Sequence, residues 1–87
     1  MQQKRGIDFT VIHDEMAIPL RNFLFYKTGN LEQSKDLAQE SFIRLWSNLD
    51  RVKEGKVKSY LFTIANRLFL DHTDHQKVIL KFQRSQK

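Results

Sequence analysis

The 87-residue chain has no cysteine, a single proline and three glycines. Without thiols there is neither a disulfide framework nor a thiolate metal site. So few chain-breaking residues cannot punctuate a many-stranded sheet, which favours a few long helices. No apolar run approaches the roughly 18 residues of a membrane span. The N-terminal MQQKRGIDF lacks the apolar stretch of a signal peptide, so the expected compartment is the cytoplasm. A glycine-rich phosphate loop, an HExxH helix and a serine in a nucleophile turn are also missing, and with them the common signatures of catalysis.

What is present is enough for one small packed domain. Hydrophobic residues make up 40% of the chain and charged residues 29%, which argues against disorder, while the length leaves no room for a second core. The net charge of +5 is unevenly spread. Residues 1–40 carry five Lys/Arg against six Asp/Glu, and residues 41–87 carry ten against four. A basic second half points to a nucleic-acid contact there, or to a solvated basic surface without a ligand.

Apolar spacing predicts three main helices in an all-α fold. In the first, from about Ile7 to Lys27, Phe9, Ile12, Met16, Leu20, Phe23 and Leu24 recur at helical intervals. Pro19 predicts a kink or a split into two short helices, giving a compact three-to-four-helix domain. Val11, Ile18 and Phe25 form a second stripe on the opposite side. A helix apolar on two sides is either the central helix of its domain or one whose second partner lies elsewhere. Gly29 suits the left-handed residue after a helix end. Asn30 suits a cap for the next helix, with Gln33 completing a capping-box pattern.

The second helix, about Leu31 to Leu49, has two distinct faces. Ala38, Phe42, Leu45 and Leu49 form its core side, whereas Asp36, Gln39, Glu40 and Ile43 lie together on another. An isoleucine set among acids and an amide reads as a protein-docking surface. Asp50 to Lys58 reads as a loop with room for a helical turn. The third helix begins near Lys58 or Ser59 and continues to about Phe82, with Leu61, Ile64, Ala65 and Leu68 as its core stripe. A brief alternation through Val78, Leu80 and Phe82 also fits a strand, but continuation of the helix is the expectation.

Chemistry-bearing residues fall into two groups. His72 and His75, with Asp71 and Asp74, offer the spacing of a helix-borne metal site, yet both histidines lie on or beside the core stripe and no further ligand cluster exists. The expectation is therefore no metal, no cofactor and no enzyme. The second group is better founded. Arg51, Lys53, Lys56 and Lys58 crowd one loop, followed by Tyr60 and Arg67 on the next helix. Cations neutralise phosphates, and an aromatic ring stacks on an unpaired base.

Together, TGNLEQSKDLAQESFIRLW and SYLFTIANRLFLDH resemble conserved region 2 of bacterial RNA polymerase sigma factors of the extracytoplasmic-function (ECF) group. The resemblance covers roughly Phe9 to His72. Its most specific part is Asp-x-x-Gln-Glu-x-Phe, here Asp36, Gln39, Glu40 and Phe42, followed by Trp46. It implies that the second helix docks on the clamp helices of the polymerase β′ subunit, which matches the independently read face of Asp36, Gln39, Glu40 and Ile43. It further implies that the loop Leu49 to Lys58 is the specificity loop, and that Tyr60, Thr63, Asn66 and Arg67 adjoin it. Those residues would melt the −10 promoter element and hold a flipped nontemplate-strand base. An anti-sigma factor is a further implied partner.

Four departures qualify the resemblance. Tyr60 stands where many members have tryptophan. Ile64-Ala65-Asn66-Arg67 replaces Ile-Ala-Arg-Asn, so the asparagine's role belongs securely to neither polar residue. His72-Thr73-Asp74-His75 replaces a basic run. A second, −35-binding domain of complete members is absent from this chain, so the whole chain is read as one region 2 domain. The rival readings are a helical polymerase-binding adaptor or regulator without promoter recognition, and a small metalloenzyme using His72 and His75.

Overall fold

The computed structural model describes residues 8–85, with side chains through Thr73. Three helices, α1 (Phe9–Thr28), α2 (Leu31–Asn48) and α3 (Val57–Ser85), follow one another, and two single 3₁₀ turns, Leu49–Arg51 and Glu54–Lys56, connect α2 to α3. No strand occurs among the described residues, so the expected all-α fold is found, and the 76–82 segment is helical.

Asp8 starts α1 by accepting the Thr10 N–H on its carboxylate at 3.0 Å. An oxygen acceptor at this position satisfies an amide that has no partner within the helix. Of the kink or split expected at Pro19, the split does not occur: α1 runs as one helix through Pro19. Pro19 is exposed, so the missing hydrogen bond falls on the solvent side of the helix, where water can serve the freed carbonyl. The helix ends at Gly29, whose φ of 67° is left-handed and whose N–H donates to Phe25 O at 2.8 Å. Asn30 then caps α2 by accepting the Gln33 N–H at 2.9 Å. The reciprocal half of the capping box is absent. It is Thr28 Oγ1, rather than the Gln33 side chain, that accepts the Asn30 N–H at 3.1 Å.

The core lies where the three helices meet. Leu20 and Leu24 of α1, Ala38, Phe42 and Leu45 of α2, and Leu61 and Ala65 of α3 are buried, together with Leu49. The remaining apolar positions of the α1 core stripe, Phe9, Ile12, Met16 and Phe23, pack half-buried around them. Aromatic contacts divide α1 between its neighbours. Phe9 meets Trp46 and Phe42 of α2 edge-on at 5.1 and 6.2 Å, and Phe23 meets Phe62 of α3 edge-on at 5.1 Å. Lys27 adds its ammonium over Phe23 and over Phe69.

Two features had no signal in the apolar spacing. Ser34 and Ser41 are fully buried on α2, their hydroxyls donating to Leu31 O and Leu37 O, each at 2.7 Å. Small side chains that satisfy themselves on their own helix allow neighbouring elements to approach closely. Val52 and Val57 are also buried and pin both ends of the connecting loop to the core. The second stripe of α1, by contrast, faces solvent: Val11, Ile18 and Phe25 are exposed. Although α1 touches both other helices, it is not sandwiched on that side.

Candidate functional site

One side of α2 is buried and another is open, as the helical wheel requires. Asp36, Gln39, Glu40 and Ile43 are all exposed, and Ile43 retains 54% of its accessible surface. Glu40 Oε2 accepts from Arg44 Nε at 3.1 Å, an i,i+4 pair. Gln39 and Ile43 also edge a groove of about 580 Å³ between α1 and α2. Phe9, His13, Phe42 and Trp46 form its aromatic side, and Arg21 and Lys35 supply cations. The α1 half of this groove was not visible in the sequence because it depends on how two helices pack, not on the period of either one.

The basic loop and α3 form a second site. Arg51, Lys53 and Lys56 surround a cavity of about 340 Å³ with Ser59, Tyr60 and Thr63. Its shape comes from local backbone chemistry. Val52 and Val57 anchor the loop, while Val52 N–H donates to Leu49 O at 3.2 Å and Lys56 N–H to Lys53 O at 2.8 Å. These bonds hold the cationic side chains around a fixed rim. Tyr60 is half-buried against the core, so its ring is held in place more firmly than that of an exposed tyrosine. Thr63 donates its hydroxyl to Ser59 O at 3.0 Å, which satisfies that proton on its own helix.

Not every predicted contact residue joins this cavity. Lys58 pairs instead with Glu15 of α1 at 2.9 Å and ties the start of α3 to the first helix. Asn66 and Arg67 lie one to two turns further along α3, with Thr63, Leu70 and Asp71 in a separate depression of about 540 Å³. Arg67 also borders a cavity of about 270 Å³ between α2 and α3. Arg44 and Asn48 of α2 line that cavity too, and neither stood out in the sequence as a ligand-contacting residue.

Among the described residues no group of three or more His, Cys, Asp or Glu side chains is placed to hold a metal ion. His72 Nε2 is buried without a hydrogen-bond partner. The side chains of Asp74 and His75, which the metalloenzyme reading also needs, lie outside the described residues. No described helix is long and apolar enough to cross a membrane.

Comparison with known proteins shows what the chain is similar to. Residues 14–78 match the family model of sigma-70 region 2. The RNA polymerase sigma factor YlaC of Bacillus subtilis (strain 168) is 35% identical over 51 residues, covering 58% of this chain and 30% of that protein. The ECF RNA polymerase sigma factor EcfG of Rhodopseudomonas palustris (strain TIE-1) is 36% identical over 63 residues, covering 70% of this chain and 34% of that protein. The ECF RNA polymerase sigma factor SigM of Bacillus subtilis (strain 168) is 33% identical over 55 residues, covering 63% and 34%. The chain thus spans about a third of the length of these curated relatives. No solved structure matches it.

Proposed function

Because the chain belongs to the sigma-70 region 2 family, among ECF sigma factors, we propose that it is the polymerase-docking and promoter-melting module of an alternative sigma factor. In this reading it performs no chemistry of its own. It brings bacterial RNA polymerase to a promoter, and the polymerase makes the RNA.

The observation that carries the reading is the placement of two unlike surfaces on one three-helix unit with a shared core. Asp36, Gln39, Glu40 and Ile43 face outward from α2, and the cationic cavity around Tyr60 begins where the loop after α2 meets α3. An exposed isoleucine with an amide and two acids suits the β′ clamp helices. Burying the isoleucine adds a hydrophobic contribution, and the polar groups around it set the register. At the other surface, Arg51, Lys53 and Lys56 suit phosphates, and Tyr60 offers a ring on which a base taken out of its stack can rest.

Unpairing and unstacking a base costs a few kcal/mol, which phosphate neutralisation, stacking and attachment to polymerase together offset. The chain alone is accordingly a weak DNA binder. An adaptor that docks on polymerase without reading DNA would share the α2 surface but have no use for the loop cavity. The two readings part on a triple variant, Lys53→Ala, Lys56→Ala and Tyr60→Ala, measured for polymerase binding and for retention of single-stranded −10 nontemplate DNA by the polymerase complex. Loss of DNA retention with intact polymerase binding is expected. Unchanged retention would favour the adaptor.

A further inference from the structure

The groove between α1 and α2 changes character along its length. Phe9, near the start of α1, meets Trp46, near the end of α2, at 5.1 Å between ring centroids, and His13 meets Phe42 at 4.5 Å. The helices therefore run antiparallel, and the lining continues from this aromatic end through Ala17 and Ala38 to Arg21 and Lys35. We propose that the groove binds a free fatty-acid anion, its acyl chain along the rings and alanines and its carboxylate on Arg21 and Lys35, and that the bound anion opposes polymerase docking. The binding stands on the groove alone, whereas its effect on docking rests on the reading of α2 as the polymerase-facing helix.

Charge favours an anion at one end. No carboxylate lines the groove, and neither Arg21 nor Lys35 has an ion pair among the described residues. Asp14 lies 3.9 Å from His13 Nδ1 at the aromatic side, about two turns of α1 away from Arg21. A guanidinium presents a two-pronged fit to a carboxylate, and an ammonium adds a compact charge beside it. Arg21 is half-buried, so its charge is less screened than that of a fully exposed cation.

Shape favours a flexible chain behind that anion. From Phe9 to Arg21 the groove runs about 18 Å at the rise of a helix, a length that suits an extended chain of roughly twelve carbons joined by bonds of about 1.5 Å. Its volume of about 580 Å³ falls within the range of small-molecule sites. Alanines on both helices keep its middle narrow-walled and apolar, where a single acyl chain fits and a helix about 10–12 Å across does not. Gln39 and Ile43 belong both to the groove lining and to the exposed face of α2. A chain lying against Ile43 covers the apolar surface that docking would bury.

Trp46 lines the groove and is the chain's one tryptophan, so its fluorescence reports occupancy. The 87-residue chain is titrated with dodecanoate below its micelle concentration, with the shorter octanoate, with dodecylammonium, and with phosphatidylglycerol vesicles. Dodecanoate is expected to give a saturable change in Trp46 emission, and octanoate to bind about tenfold more weakly in a groove that covers the chain on one side. Arg21→Ala and Lys35→Ala should each weaken dodecanoate binding about tenfold, the loss of one charge-assisted contact, with helix content unchanged by circular dichroism. No saturable change, an equal response to dodecylammonium, or unchanged binding by both variants would overturn the site. An equal response to the vesicles would make the ligand a lipid surface and overturn it as well. In a second arm, saturating dodecanoate should weaken binding of an isolated β′ clamp-helix fragment at least tenfold. Unchanged fragment binding would overturn the opposition to docking while leaving the site. A fragment that fails to bind even without dodecanoate would overturn the docking reading, and with it the opposition, whereas the fluorescence titration would still decide the site.

Discussion

Ile43 and Leu45 are two residues apart on α2 and have opposite fates: Ile43 retains 54% of its surface and Leu45 none. Leu45→Ala should cost about 2–5 kcal/mol, the range for truncating a leucine in a core. That is a large part of the roughly 5–10 kcal/mol expected for a domain of this size. Ile43→Ala should change stability by no more than about 0.5 kcal/mol, as surface substitutions do. Under the proposed docking role, its effect should fall on binding to the clamp helices. Fully burying an isoleucine stabilises by about 1.5–3 kcal/mol, and about half of this side chain's surface is still open to water. Its truncation should therefore weaken binding by roughly 1–1.5 kcal/mol, or about five- to tenfold in Kd. Adding Gln39→Ala removes a group able to donate and accept across the interface, worth about another 0.5–1.5 kcal/mol. Stability is read by urea denaturation followed through Trp46, the chain's one tryptophan, and docking by titration with an isolated β′ clamp-helix fragment. If Ile43→Ala unfolded the domain as Leu45→Ala does, or if the Gln39/Ile43 double variant bound the clamp helices unchanged, the division of α2 into a core face and a docking face would be refuted.

Other positions give independent checks. A Cβ at Gly29 would meet nothing within 4 Å, so Gly29→Ala should cost only the left-handed backbone strain, about 1–2 kcal/mol, seen as a lower urea midpoint. Ser41→Ala should be almost neutral in the same assay, because the lost hydroxyl bonds only to its own helix. Ser41→Leu should cost about 1–3 kcal/mol by overpacking. Lys53→Ala with Lys56→Ala should flatten the salt dependence of single-stranded DNA binding. With a slope of about 0.7 per neutralised phosphate, two lost cations lower it by roughly 1.4; an unchanged slope would remove both from the phosphate contacts.

The parts of this architecture legible in the sequence are those set by a single helix period or a single cap. The two faces of α2 follow from 3.6-residue periodicity, and Gly29 and Asn30 from the backbone conformation and amide partners that helix ends demand. Pro19 does not split its helix, because a helix tolerates proline when the unpaired carbonyl has access to water. The capping box was half right, since Thr28 occupies the role that the spacing assigned to Gln33. Val52 and Val57 gave no periodic signal, as each acts alone to anchor one end of a loop. Lys58 belongs by composition to the basic cluster, but Glu15, 43 residues earlier in the chain, is its partner. Arg44 and Asn48 join Tyr60 and Arg67 only through the packing of α2 on α3, an arrangement that depends on both helices at once.

The proposed function requires that one surface holds polymerase while the other selects single-stranded promoter DNA. It is tested most directly by offering a randomised pool of short single strands to core RNA polymerase with and without this chain. A short motif should be enriched only when the chain is present, and the enrichment should disappear with Lys53→Ala, Lys56→Ala and Tyr60→Ala while the chain stays bound. An identical pool retained by core polymerase alone, or a motif that survives the triple variant, would contradict it.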